Sequence, residues 1–214
     1  MTPRRQLLLM TACLFAISSV ATAESIYLNR DNITVAVGEG TSPGTFNNTF
    51  SGEQTIEKVI DAPSADAEEF HNQTTHIWFT ADEVGGGLEL EFDLGISYDI
   101  STLHFWNYTG ENYDVDNIDF VFYGPNGNQV GTLSVQPDLG SSPGIASQDI
   151  PLAAPLNVRN VTAFLTGSNR QIDFQNIGFT AEVTQIPEPS SIGMLVLAGA
   201  FAAGTYWRRK TLST

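Results

Sequence analysis

Cysteine is nearly missing from this chain of 214 residues, which has a single one, Cys13. It lies in an N-terminal apolar stretch, so no disulfide framework can brace the body of the protein. Positive charge is scarce as well: nine Lys and Arg stand against 24 Asp and Glu, a formal net charge of −15. A surplus of that sign repels phosphate backbones and anionic membrane surfaces, which excludes nucleic acid as a partner. Helical periodicity is absent between the two hydrophobic ends, and that excludes a helix bundle.

No catalytic set stands out either. Gly140-Ser141-Ser142-Pro143-Gly144 satisfies the pattern G-x-S-x-G. A nucleophile elbow needs a strand before it and a helix after it, and Pro143 in a Ser/Gly stretch predicts a turn instead. His71, His76 and His104 do not fall at the spacing of a helical zinc pair and read as ordinary strand or surface residues. No local motif nominates two carboxylates for glycoside hydrolysis. The chain reads as a non-enzyme.

What is present begins at the two ends. Arg4 and Arg5 precede an apolar run from Leu7 to Val20 and the small-residue site Ala21-Thr22-Ala23. This is the pattern of a secretory signal peptide over residues 1–23, with cleavage before Glu24. At the other end Pro187-Glu188-Pro189 opens an extended segment, because a helix cannot accommodate two prolines so spaced. A 17-residue uncharged apolar run from Ser191 to Trp207 follows, then Arg208-Arg209-Lys210. That run predicts a hydrophobic helix over 191–207, somewhat shorter than the ~20 residues that span a bilayer comfortably. The basic cluster resists translocation and keeps the tail end in the cytoplasm, with everything before Pro187 outside.

Between the ends, residues 24–186 form one domain by length. It retains four basic and 23 acidic side chains, a net charge of −19. Its pattern is all-β. Ile33, Val35 and Val37 alternate with other residues, and Leu88 to Leu94 alternates strictly, apolar with acidic. Leu103 to Tyr108, Ile118 to Phe122, Gln129 to Val135, Leu156 to Leu165 and Gln171 to Val183 supply further strands, with Pro125-Asn126-Gly127-Asn128 as a hairpin turn. Short strands separated by Gly, Pro, Asn and Asp predict an antiparallel β-sandwich or jelly roll. The polar region from Gly38 to Gly87 is too long for an ordinary loop and is expected to be partly ordered, packed at one end of the sandwich. In the Phe105-Trp106 pair, adjacent strand residues face opposite sides, so one of the two is expected in the core.

Two resemblances add to this. The order IPEPSS, apolar run, WRRK resembles the PEP-CTERM sorting signal, here over residues 187–214. That family occurs in Gram-negative bacteria that make extracellular polysaccharide. The resemblance implies an exosortase as partner, a transient hold in the inner membrane through the helix, cleavage near Pro187-Glu188-Pro189, and a final place at the cell surface or outside the cell. Residues 55–183, with Val59-Ile60-Asp61, Trp78, the Leu88 to Gly95 strand end and Phe105-Trp106-Asn107-Tyr108, are similar to the galactose-binding-like (discoidin, F5/8 type C) jelly roll.

This second resemblance implies carbohydrate binding by loop aromatics. Trp78, Trp106, Tyr108 and Tyr113 are the candidates to stack on a pyranose, with Asn107 or Asp114 bonding its hydroxyls. It also implies a structural calcium near the early loop and the last strand, where Asp61 and Asn176 are the candidate oxygen ligands. The run Asp114, Asp116, Asp119 lacks the Gly and terminal Glu of an EF-hand and reads as a solvated turn. The resulting expectation is an exported surface or matrix protein binding extracellular polysaccharide, linked to biofilm. The alternatives are a structural surface protein without a defined ligand and a secreted hydrolase.

Overall fold

A computed structural model describes residues 24–47, 56–71 and 76–183. The signal peptide, the Pro-Glu-Pro tail, the 191–207 apolar run and its basic end lie outside the described residues. Among those described, no helix is long and apolar enough to cross a membrane.

The described residues form nine strands: β1 (Ser25–Leu28), β2 (Thr34–Val37), β3 (Gly44–Asn47), β4 (Ile77–Ala81), β5 (Gly87–Asn107), β6 (Asn117–Tyr123), β7 (Gln129–Val135), β8 (Gln148–Thr166) and β9 (Gln171–Val183). The described helix is one 3-10 turn, Ile56–Ile60. Every strand pair is antiparallel. The polar Gly38 to Gly87 region thus contributes β3, the 3-10 turn and β4, and β4 lies hydrogen-bonded within the sheet rather than capping an end.

The sandwich arises because β5 changes layer. Its first half, Gly87 to Asp93, pairs with β8, and its residues 90–93 also pair with β2. Its second half, from Tyr98, pairs with β9 instead of β2. Alternation has to be repaired along so long a strand. Leu88, Leu90, Phe92, Leu94, Tyr98 and Ile100 are buried at even positions, then Leu103 and Phe105 at odd ones, and the register shift between Ile100 and Thr102 makes the switch. A bulge inserts one residue and so reverses which parity faces the core. In β9 Ile172 and Phe174 give way to Ile177, Phe179 and Ala181 across a second shift, opposite Trp106 and Asn107. The layers meet where Phe92 packs edge-on against Phe179, ring centroids 5.3 Å apart.

Phe105 lies in this main core, but Trp106 is fully buried too. It packs in a second, smaller cluster with Ala62 and Ile145 on the other face of the layer. The expectation that only one of the two is inside is therefore corrected: a loop covers the face that alternation assigns to solvent.

Candidate functional site

The same alternation loads that second face with chemistry. On β4, Ile77, Phe79 and Ala81 point into the core, so His76, Trp78 and Thr80 lie on the opposite face. On β9, Ile172 and Phe174 are core, which puts Gln171 and Asp173 beside them on that face, with Trp78 directly opposite Asp173 and Thr80 opposite Gln171. Gln171 ties the row together by accepting hydrogen bonds from Trp78 Nε1 and from Thr80 Oγ1, the latter at 2.9 Å. The covering segment runs from Asp61 to His71. Ala67 accepts from Trp106 Nε1 at 2.8 Å, and Glu69 and Ile145 exchange backbone hydrogen bonds.

Three aromatics singled out in the sequence converge here. Tyr113, 44% exposed on the β5–β6 loop, stands edge-on to both Trp78 and Tyr108, each at 6.2 Å between centroids. Tyr108 in turn lies 4.6 Å from the ring of His71. The loop carrying Tyr113 is closed by hydrogen bonds from Tyr113 N and Asp114 N to Gly110 O. An exposed tyrosine edge framed by two half-buried rings can offer an apolar face to a ligand with little reordering.

Asn107 does not join them as a ligand group. It is 2% exposed, and its amide is committed to the chain. Nδ2 donates to Val115 O and Asp138 O, both at 3.0 Å, while Oδ1 accepts from Tyr108 N and Val115 N at 2.9 and 3.0 Å. No donor is left for a sugar hydroxyl, so the expected role is replaced by that of a clamp under the aromatic loop. Asp114 is buried rather than solvated, and Asp116 accepts from Ser168 N. Asp119 faces outward from β6. Burial, with Asp116 and Glu111 close by, pushes the Asp114 carboxyl up to about 6.

Asp61 and Asn176 do meet, though 115 residues apart, but not as a calcium pair. Asn176 Nδ2 donates to Asp61 Oδ1 at 3.2 Å, and its only side-chain oxygen accepts from Ala62 N at 2.9 Å. The other Asp61 oxygen is bonded to Lys58 Nζ, with Arg30 Nη1 at 3.9 Å. Calcium needs several uncommitted oxygens. Here the ammonium of Lys58 already supplies the positive charge, and the expectation of a calcium site at these two residues does not fit the donor set.

The histidines are not ordinary surface residues. His76 and His104 are 1% and 4% exposed. His104 Nδ1 lies 2.7 Å from Asp149 Oδ1 and its Nε2 2.7 Å from Thr180 Oγ1. This Thr-His-Asp row has the order of a nucleophilic triad. It lies on paired positions of β9, β5 and β8, next to the register shift between Ile100 and Thr102. Ser142 sits in a loop, as the turn reading expected. His71 and His76 stack at 4.6 Å beside Asp173, which is 3% exposed. Burial pushes the Asp173 carboxyl up to about 8 and lowers the His71 imidazole.

Sequence reasoning passed over His71, His76, Asp173 and Gln171. The available signal was the register of β4: His76 shares a face with Trp78, and Asp173 sits between two core residues of a strand. A separate cleft of about 430 Å³ runs over β2, β5, β8 and β6, lined by residues including Glu91, Asp93, Tyr123 and Asn160. It lies apart from the aromatic set and has Tyr123 and Phe92 as its ring residues.

The fold is that of the F5/8 type C jelly roll, the architecture of galactose-binding-like domains. A solved F5/8 type C domain from a Bacteroides fragilis protein matches with a TM-score of 0.53 at 10% identity, covering 74% of this chain and 97% of that one. A family 32 carbohydrate-binding module from Clostridium perfringens, solved in complex with GalNAc-β-1,3-galactose, matches with a TM-score of 0.51 at 12% identity, over 72% of this chain and 99% of its own. Residues 185–210 match the family model of the PEP-CTERM protein-sorting motif. No curated protein sequence matches the chain.

Proposed function

We propose that this chain is an exported, non-enzymatic carbohydrate-binding protein whose site is the Trp78, Tyr108 and Tyr113 set. The observation that carries the reading is the convergence of these rings from β4, the end of β5 and the following loop, with Tyr113 exposed at the rim. Rings so placed can stack on the apolar face of a pyranose. The likeness to a module solved with GalNAc-β-1,3-galactose supports a glycan as the ligand class. The polar partners for hydroxyls are the Tyr113 phenol and the Gln171 amide, in place of Asn107.

In this reading residues 1–23 direct export, 24–186 bind polysaccharide, and 187–214 form the sorting tail. Pro187-Glu188-Pro189 mark the cleavage region for an exosortase, while Arg208, Arg209 and Lys210 hold the helix against translocation. The protein ends at the cell surface or in the extracellular matrix, in contact with extracellular polysaccharide and biofilm.

A glycan array probed with the full chain in mild detergent tests the site. Binding should centre on galactose- or GalNAc-containing glycans, and Tyr113→Ala should abolish it while the melting temperature stays unchanged. Absence of binding to every glycan, with the protein folded, would replace this reading by that of a structural surface protein.

A further inference from the structure

We propose that His71, His76 and Asp173 form a binding site for a transition-metal ion of the zinc type, which pins the covering segment to β9. The inference is independent of the glycan reading.

One ligand atom from each residue lies within 4.8 Å of the other two, with His76 and Asp173 buried and His71 half-buried. His76 Nε2 stands 3.5 Å from Asp173 Oδ2. That is long for a charge-assisted hydrogen bond, which runs at about 2.7–2.9 Å. It matches two ligands of one tetrahedral ion, which at bond lengths of about 2.0–2.2 Å lie about 3.4 Å apart. Asp173 Oδ1 and His71 Nδ1 are buried atoms without a hydrogen-bond partner among the described residues. A buried carboxyl oxygen of a residue only 3% exposed is costly to leave idle, and a cation removes that cost.

The donor set selects the ion. Two imidazoles and one carboxylate suit Zn²⁺ and its neighbours in the first transition row, whereas Ca²⁺ and Mg²⁺ prefer oxygen alone. No thiol is needed, in keeping with a body that has no cysteine. The rings of Tyr108, 4.6 Å from His71, and Trp78, 6.2 Å from His76, wall the cluster and keep its dielectric low. With three protein ligands, a fourth position stays open to water or a ligand atom. Spacing in sequence hides the site, since His71 and His76 come from a loop and a strand edge, and the third ligand arrives nearly 100 residues later on β9.

The test is isothermal titration of the metal-stripped full chain, made without a histidine tag, with Zn²⁺ and in parallel with Co²⁺. One ion per chain should bind and raise the melting temperature, and the Co²⁺ form should show the intense visible bands of a four-coordinate centre. His71→Ala should weaken Zn²⁺ by at least about 100-fold, beyond the 10–100-fold usual when only an outer-shell partner is lost. Asp173→Asn should do the same, and His104→Ala should bind as the native chain does. Native protein that takes up no Zn²⁺ at millimolar concentration, or uptake that His71→Ala leaves unchanged, would overturn the proposal and leave His76 and Asp173 as a plain polar contact. Glycan binding retained in a variant that has lost Zn²⁺ would show that the two sites fail separately.

Discussion

Asn107 shows how much one side chain can hold. Its four hydrogen bonds join the end of β5 to Val115 and Asp138, and so fix both loops that flank the aromatic set. Asn107→Ala would leave buried N–H and C=O groups unpaired, each worth about 1–3 kcal/mol. A loss of about 3 kcal/mol in urea unfolding is expected, and a change below about 0.5 kcal/mol would show that water replaces the amide. Gly140 completes the seam: an added Cβ would come 2.2 Å from Asn107 O. Asp114, beside this clamp, makes the loop sensitive to pH. Its carboxyl is raised from an ordinary 3.8 to about 6 by burial first and by Asp116 and Glu111 next. A carboxyl raised on folding binds its proton more tightly in the native state, so its contribution is complete below about pH 4 and is lost as pH rises through about 6. Stability should fall over that window, and Asp114→Asn should flatten the slope in a series of melting curves. An identical slope in both proteins would assign the titration elsewhere.

Elements were legible where alternation alone decides. Leu88 to Leu94, Gln129 to Val135 and Gln171 to Val183 are strands as their patterns predict. Leu88 to Leu94 and Leu103 to Tyr108 look like separate strands because parity breaks between them, and the structure joins them through the bulge near Ser101 into one strand of 21 residues. A bulge is set by backbone hydrogen bonding, which no side-chain pattern spells out. The candidate site was legible in part, because the family resemblance put forward Trp78, Tyr108 and Tyr113 as ring residues. Asp173 looks solvent-facing from alternation, and in the fold it is buried beside His71 and His76. The 3-10 turn carries Lys58, the cation that pairs with Asp61. Lys58→Met would leave Asp61, 11% exposed at its side chain, with the Asn176 amide and, among the described cations, the more distant Arg30. A loss of about 1–2 kcal/mol is expected, below the 3–5 of a fully buried pair. Added calcium should leave the native melting temperature unchanged and partly restore that of the variant. Calcium stabilisation of the native protein equal to that of the variant would refute the substitution of ammonium for metal.

Charge is the property of the whole molecule that local pairing cannot cancel. All four basic residues of the 24–186 body are engaged: Arg30 and Lys58 with Asp61, Arg159 with Asp93 at 3.2 Å, and Arg170 with the carbonyl of Asp82 at 2.8 Å. The body keeps an excess of 19 acids over bases, with only those four cations to offset it. Salt affects both terms in opposite directions. It weakens exposed pairs such as Arg159 with Asp93, each worth roughly 0–1 kcal/mol. It also screens repulsion among the surplus carboxylates over a Debye length of about 10 Å at 0.1 M. Carboxylates outnumber pairs several-fold, so relief of repulsion wins and the melting temperature should rise as NaCl increases from about 20 to about 200 mM. A flat or falling curve would mean that the few pairs matter more than the field. The same field suits a protein held only briefly at a membrane, since anionic headgroups repel the body while the tail holds it. Cleavage near Pro187-Glu188-Pro189, as proposed above, would leave nothing basic beyond those four residues to draw it back. Intact-mass measurement of the protein recovered from the outer surface of its host should therefore give a species beginning at Glu24 and lacking Arg208, Arg209 and Lys210. A surface species that still ends at Thr214 would show that the tail is a permanent anchor, held in spite of the repulsion.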